Sequence, residues 1–347
     1  MFGFKKTTIS GIVFIAILAF IAINISSISI IKKLGFSSLV IGIIIGMVVG
    51  NLFHHKLPIS LNEGITFSAK KILRLAIILY GFRLTFQDIA KVGIEGALVS
   101  IIMLSTTLIL GVLVGQKIFK LPKDSAILTA SGASVCGAAA VLATESVVKA
   151  KESSVAVAVS MVVLFGTISM FLYPILYEAF IKDPNSIFYL NPAEFGIYVG
   201  GSVHEVAQVV AIPASIPNAP EVMAHNAVIV KMTRVLLIAP MLIILGVILS
   251  LNSSSTTKAT ITIPWFAIYF IIVVAFNSLE LLPLHIVEII NKIDTFLLTM
   301  AMTALGVGTI FSKFKSVGVG AFYTALIMFF WLVIGGFIVT KTITSLF

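Results

Sequence analysis

From Gly11 to Ile25, from Ser160 to Leu176 (SMVVLFGTISMFLYPIL) and from Phe266 to Phe276 (FAIYFIIVVAF) the chain carries no charged residue, and runs of this kind recur to its end. A run that long cannot alternate buried and wetted faces, so lipid must be the solvent. Crossing the ~30 Å hydrocarbon layer as a helix takes about 20 apolar residues. Over 347 residues, 59% are hydrophobic and 11% charged, which leaves no room for a soluble domain of ordinary composition. Breaks at charges, Pro or Asn give spans at 9-29, 37-53, 66-85, 92-118, 124-145, 152-180, 194-214, 222-250, 262-278, 288-310 and 317-344. The expected fold is an all-α polytopic membrane protein with about 10–11 transmembrane helices, since backbone polar groups in lipid must be satisfied within a helix or a closed barrel.

The net charge of +9 would suggest nucleic acid in a soluble protein. Here the cations cluster between apolar runs and serve as topology signals and headgroup contacts. Lys56, Lys70, Lys71, Arg74, Lys117, Lys120, Lys123, Lys313 and Lys315 fall inside if the N-terminus is cytoplasmic. A single cysteine excludes an internal disulfide framework. Lys5 and Lys6 precede an apolar run but no small-residue cleavage site follows, so residues 1-30 are expected to form a first helix rather than a signal peptide.

Two spans are unlike the rest. SGASVCGAAAVLATE (131–145) and GGSVHEVAQVVA (200–211) are dense in Gly, Ser and Ala and echo each other: Gly132/Gly200, Ser134/Ser202, Val135/Val203, Ala139/Ala207 and Val141/Val209 coincide. Small residues suit a tight helix seam. They also suit a helix that breaks at mid-membrane, where the freed N–H and C=O groups must find protein, ions or a wet cavity. A second echo aligns 80–93 with 305–318 (Gly81/Gly306, Phe86/Phe311, Val92/Val317, Gly93/Gly318), with Gly111/Gly336 further on. Together they suggest duplicated halves, a first repeat over 37-180 and a second over 191-346 in one transmembrane domain. Counting crossings, the third and tenth spans oppose each other as inverted repeats require, whereas the fifth and seventh run parallel, so the two echoes do not fit one simple repeat.

A charge at mid-bilayer costs about 2.5–3.5 kcal/mol on insertion scales, so each embedded one needs a reason. Lys231 and Arg234 lie inside the run from Val222 to Leu249, on one helix face at i, i+3. His204 and Glu205 sit in the second Gly/Ser segment with Gln208 one turn on, and Glu145 closes the first. Internal pairing is one expectation: Glu205 with Arg234 or Lys231, and Glu145 with Lys149 at i+4. Two cations facing one carboxylate leave a surplus positive charge, which points to an anion site. Arg supplies a planar fork, a half-helix N-terminus supplies N–H donors, and Ser131, Ser134 and Ser202 supply hydroxyls. His204 and Glu205 would carry a proton for coupling, or His204 would be a hydrogen-bonded structural residue. Cys136 reads as a packing residue. HEVAQ (204–208) lacks the second histidine of a zincin helix. No Walker loop, dinucleotide fingerprint or Cys/His ligand cluster occurs, and His54, His55, His225 and His285 are scattered at span ends. No enzyme, cofactor or metal is expected.

The stretches SGASVCGAAAVLATE, GGSVHEVAQVVA and NAVIVKMTRVLLIAP (226–240) resemble the signature segments of the YeiH family of bacterial membrane proteins, to which sulfate export is ascribed. The likeness extends over nearly the whole chain. That family is grouped with the cation/proton antiporter and bile-acid transporter superfamily. The resemblance therefore implies inverted five-helix repeats with two crossing broken helices, a core that moves against a scaffold, a place in the bacterial inner (cell) membrane and a homodimer. The run from Gly81 to Leu176 is similar to that plan: a GxxL helix (Gly81–Leu84), a plain helix, a broken helix and a plain one.

The expected function is a secondary transporter, an exporter, of a small anion such as sulfate or a sulfonate, working by alternating access. The site would be Ser131, Gly132, Ser134, Cys136, Gly137, Ser202, His204, Glu205, Gln208, Lys231 and Arg234, with protons or Na⁺ coupled through His204 and Glu205. The alternatives are a cation/proton antiporter of the same fold, with Glu205 as the exchange group, and a non-transporting intramembrane enzyme or assembly protein.

Overall fold

In the computed structural model, residues 6–28, 31, 37–53, 57–251, 265–310, 312 and 318–347 are described, and the regular structure among them is all helical. Lys5, Lys56, Lys313, Lys315, His54, His55, Phe311 and Val317 of the expectations above lie outside those residues. The expected spans correspond to helices α1 (Lys6–Ser26), α2 (Ser38–Leu52), α3 and α4 (Asn62–Phe67, Leu73–Tyr80), α5 (Phe86–Leu113), α6 and α7 (Lys123–Ser134, Ala138–Val148), and α8 (Glu152–Leu176). They continue as α9 and α10 (Pro192–Ser202, Val206–Ala214), α11 and α12 (Glu221–Leu236, Ile238–Leu251), α13 (Trp265–Ser278), α14 (Leu284–Gly308), and α15 and α16 (Val319–Phe330, Gly336–Thr344). Five of the resulting helical runs are long and apolar enough to cross a membrane unaided: 7–26, 86–118, 152–181, 221–250 and 319–344.

Local chemistry sets several ends. Asn191 opens α9 with a reciprocal capping box to Glu194, and Pro192 stands in its first turn, where its missing N–H costs nothing. The run 222-250, expected as one helix, is two, turning at Leu237. Pro240 cannot donate to the carbonyl of Leu236 and its ring crowds it. The run 66-85 is likewise segmented, by a π-turn at Ser68–Ile72 and a 3₁₀ turn at Gly81–Arg83.

The chain divides into two compact units: Met1–Asp88, Pro213–Ala219 and Phe266–Ser312 in the first, the remainder in the second. In the first unit α2 and α14 lie backbone to backbone. A Cβ on Gly46 would stand 2.2 Å from the Thr303 carbonyl oxygen, and one on Gly306 would stand 2.3 Å from that of Ile43. Gly42, Gly46 and Gly50 thus form a small-xxx-small stripe that lets van der Waals contact replace the hydrophobic drive that lipid does not supply. α1 packs in the same unit through Ile15 and Ala19, which share a core with Ile65, Ile72, Met300 and Ala304. Arg83 and Asp294 form an ion pair here, Nη2 to Oδ2 at 2.9 Å and Nε to Oδ2 at 3.0 Å. The second unit packs α9 on α11 through Gly196 and Gly200, whose Cβ positions are 2.4 Å from the carbonyls of Met223 and Ala227.

Candidate functional site

All eleven expected site residues fall in the second unit, and the two Gly/Ser spans are indeed broken. α6 stops at Ser134 and α7 starts at Ala138. α9 stops at Ser202 and α10 starts at Val206. The matched pairs Ser134/Ser202 and Val135/Val203 therefore occupy equivalent places at the two breaks. In the first break Gly137 takes φ 80°, ψ −135°, a region closed to residues with a Cβ. A side chain there would also meet Glu205, 2.6 Å from Cγ and 3.0 Å from Oε1. The second break runs through Val203 in extended conformation to His204 and Glu205.

A helix that stops in lipid leaves its last carbonyls without donors, and Lys231 and Arg234 are where those donors come from. Lys231 Nζ donates to the carbonyls of Val135 (2.6 Å) and Val203 (2.7 Å). Arg234 Nη1 donates to Gly201 (2.6 Å) and Gly200 (3.4 Å), and Nη2 to Ser134 and, at 3.4 Å, to Ala133. Each cation thus bridges the carbonyl ends of both broken helices, where the helix dipoles are negative. Both side chains are fully buried, so neither stands as a free anion ligand in this conformation. Arg234 Nε has no partner, and neither does His204 Nδ1.

The positive end of α7 is met by the opposite charge. Glu205 lies against Gly137, the residue before α7, with its Oε1 3.0 Å from where a Cβ there would stand, so its carboxylate faces the N-terminus of α7. The expected Glu205 ion pair with Lys231 or Arg234 is absent among the described residues: the carboxylate faces a helix N-terminus instead, and the cations are held at the carbonyl ends. Gln208 Oε1 accepts from the Glu205 N–H at 3.1 Å and packs on Gly166, whose Cβ would stand 2.3 Å from it. Glu145 and Lys149 do not form the expected ion pair either. Lys149 ends α7 in a left-handed conformation, φ 53°, and its backbone N–H donates to the Glu145 carbonyl at 2.7 Å.

The serines are spent more locally than expected. Ser131 Oγ donates to the Leu128 carbonyl, Ser134 Oγ to Ser131 and Ser202 Oγ to Tyr198, so their hydroxyl protons stay on their own helices and only oxygen lone pairs remain. Tyr173 supplies a contact that sequence reasoning missed: its OH donates to Ser202 Oγ at 2.8 Å, and its ring stacks on Tyr198 with centroids 4.9 Å apart. A tyrosine beside Pro174 in an otherwise plain apolar run was the available signal. Gly132 is packed by Val162 and Val141, and Cys136 is buried, both as packing residues at the break.

A family model described as "Conserved hypothetical protein 698" matches residues 10–325. The UPF0324 inner membrane protein YeiH of Escherichia coli strain K12 is 46% identical over 339 residues, 97% of this chain and 95% of that one. The chain belongs to the UPF0324 family. A UPF0324 membrane protein of Bacteroides thetaiotaomicron is 43% identical over 339 residues, covering 96% of this chain and 98% of its own. The YeiH protein of Salmonella typhimurium is 45% identical, covering 97% and 95%. The helices and the relatives' names agree on a multi-pass inner-membrane protein.

Proposed function

We propose that the chain is a secondary transporter of a small oxyanion, of the sulfate or sulfonate class, in which Glu205 holds the place of the substrate until it is protonated. One observation carries this: two helices broken inside the second unit, their carbonyl ends joined by Lys231 and Arg234 and the N-terminus of one faced by Glu205. Discontinuous helices whose half-helix N-termini face a charged group are a way of building a mid-membrane anion seat without exposing backbone to lipid. Two cations against one carboxylate leave positive charge in surplus, and Arg234 Nε–H and His204 Nδ1 remain available at the break.

A protonated Glu205 loses its attraction for the α7 N-terminus. An oxyanion can then accept the Ala138 N–H in its place, so anion and proton load together. A divalent anion carried with a single proton keeps net negative charge, which an inside-negative potential drives outward, in keeping with export. Flux of radiolabelled sulfate in proteoliposomes of the purified protein, with and without a proton gradient, tests this. Flux stimulated by the gradient supports the proposal. The absence of flux for sulfate, sulfonates and carboxylates, beside movement of Na⁺ against protons, would favour cation/proton exchange at Glu205, the lone carboxylate of the breaks.

A further inference from the structure

The first unit carries a second charged cluster that the transport proposal does not use. A cavity of about 520 Å³ is lined by Ser26, Ser38, Arg83, Asn291, Lys292 and Thr295, with Ile23 and Phe296 as its apolar wall. Ser26 is the last residue of α1 and Ser38 the first of α2, so the cavity lies where helices of this unit leave the apolar layer. Arg83 is fixed from behind: Nε and Nη2 bind Asp294, and Nη2 also donates to the Asn291 carbonyl and Thr295 Oγ1, both at 2.8 Å. Its ring-side support is Tyr80, with 5.2 Å from guanidinium carbon to centroid. Among the described residues no hydrogen bond uses Nη1, and the side chain is 29% exposed while Asp294 is fully buried. The carboxylate therefore neutralises Arg83 from the protein side and leaves the cavity side electropositive, where Lys292 adds an exposed cation.

We propose that this cavity binds the phosphodiester headgroup of an anionic glycerophospholipid, with Arg83 Nη1 and Lys292 Nζ on the phosphate. A planar guanidinium suits a phosphate, and basic pockets between transmembrane helices at the membrane face are a recurrent lipid-headgroup site. The acyl chains have a track. Val13, Ile17 and Phe20 are 50%, 55% and 62% exposed and descend α1 at helical spacing from Ile23. A free phosphate would share the headgroup chemistry but would leave that track empty.

The test is native mass spectrometry of the full chain titrated with phosphatidylglycerol, phosphatidylcholine and inorganic phosphate. Phosphatidylglycerol should bind about fivefold or more tighter than phosphatidylcholine and lose about fivefold in Lys292→Gln, an exposed position whose change leaves folding intact. The double variant Arg83→Gln/Asp294→Asn, which removes the pair without orphaning the carboxylate, should lose at least as much. Equal binding of the two lipids, or unchanged binding in both variants, would overturn the proposal. So would displacement of the lipid by inorganic phosphate at matching concentration, since that would assign the cavity to a free anion.

Discussion

Replacing Lys231 by Met keeps the length and apolar stem of the side chain and removes only the ammonium. The two carbonyls it serves, Val135 and Val203, would then be buried with no donor. Each orphaned acceptor costs about 1–3 kcal/mol. Part of that is offset because a buried charge no longer has to be desolvated, so the net loss is about 2–4 kcal/mol. For domains of roughly 150–250 residues each kcal/mol lowers the melting temperature by about 2–4 °C, giving an expected drop of about 5–15 °C. The chain provides its own reporter. Cys136, its single cysteine, is buried in the first break, so a thiol-reactive dye fluoresces when that break opens. A melting temperature unchanged or raised in Lys231→Met would refute the argument that the ammonium is there to satisfy the carbonyl ends.

Gly46→Ala would push a methyl to 2.2 Å from the Thr303 carbonyl oxygen and, as overpacking against backbone, should cost about 1–3 kcal/mol. Detergent melting of the variant checks it. Arg83→Gln alone leaves Asp294 buried without its cation and should cost about 3–5 kcal/mol. Adding Asp294→Asn should restore most of that loss, and a double variant no more stable than the single one would show that the pair is not what the side chains are for.

The breaks were legible because Gly and Ser are poor choices for a plain span and because the Gly132/Gly200 echo aligned residues that end the half-helices at matching points. Residues 203–205 and 135–137 needed no long-range knowledge. The task of Lys231 and Arg234 was not legible, since their partners are backbone carbonyls up to 101 residues away and a carbonyl has no sequence signature. Sequence logic offered the cations either Glu205, the nearest opposite charge, or a bound anion, whereas the structure sets both cations at the carbonyl ends of helices and Glu205 at an N-terminus. Asp294 lies inside the expected span 288-310, and its partner Arg83 is 211 residues away, so nothing local marked the pair. The period-four stripe Gly42, Gly46, Gly50 was present in the sequence and is the signal that would have located the α2–α14 contact.

The most direct test of the transport proposal is gradient-driven flux in Glu205→Gln. The amide has the size of the carboxyl and, like its protonated form, carries no charge for the α7 N-terminus, so the fold is retained and the seat stays open while the titratable group is gone. Anion exchange without a gradient should persist in proteoliposomes, and stimulation by a proton gradient should disappear. Undiminished stimulation in the variant would contradict the role given to Glu205, and anion flux in neither protein would contradict the anion seat itself.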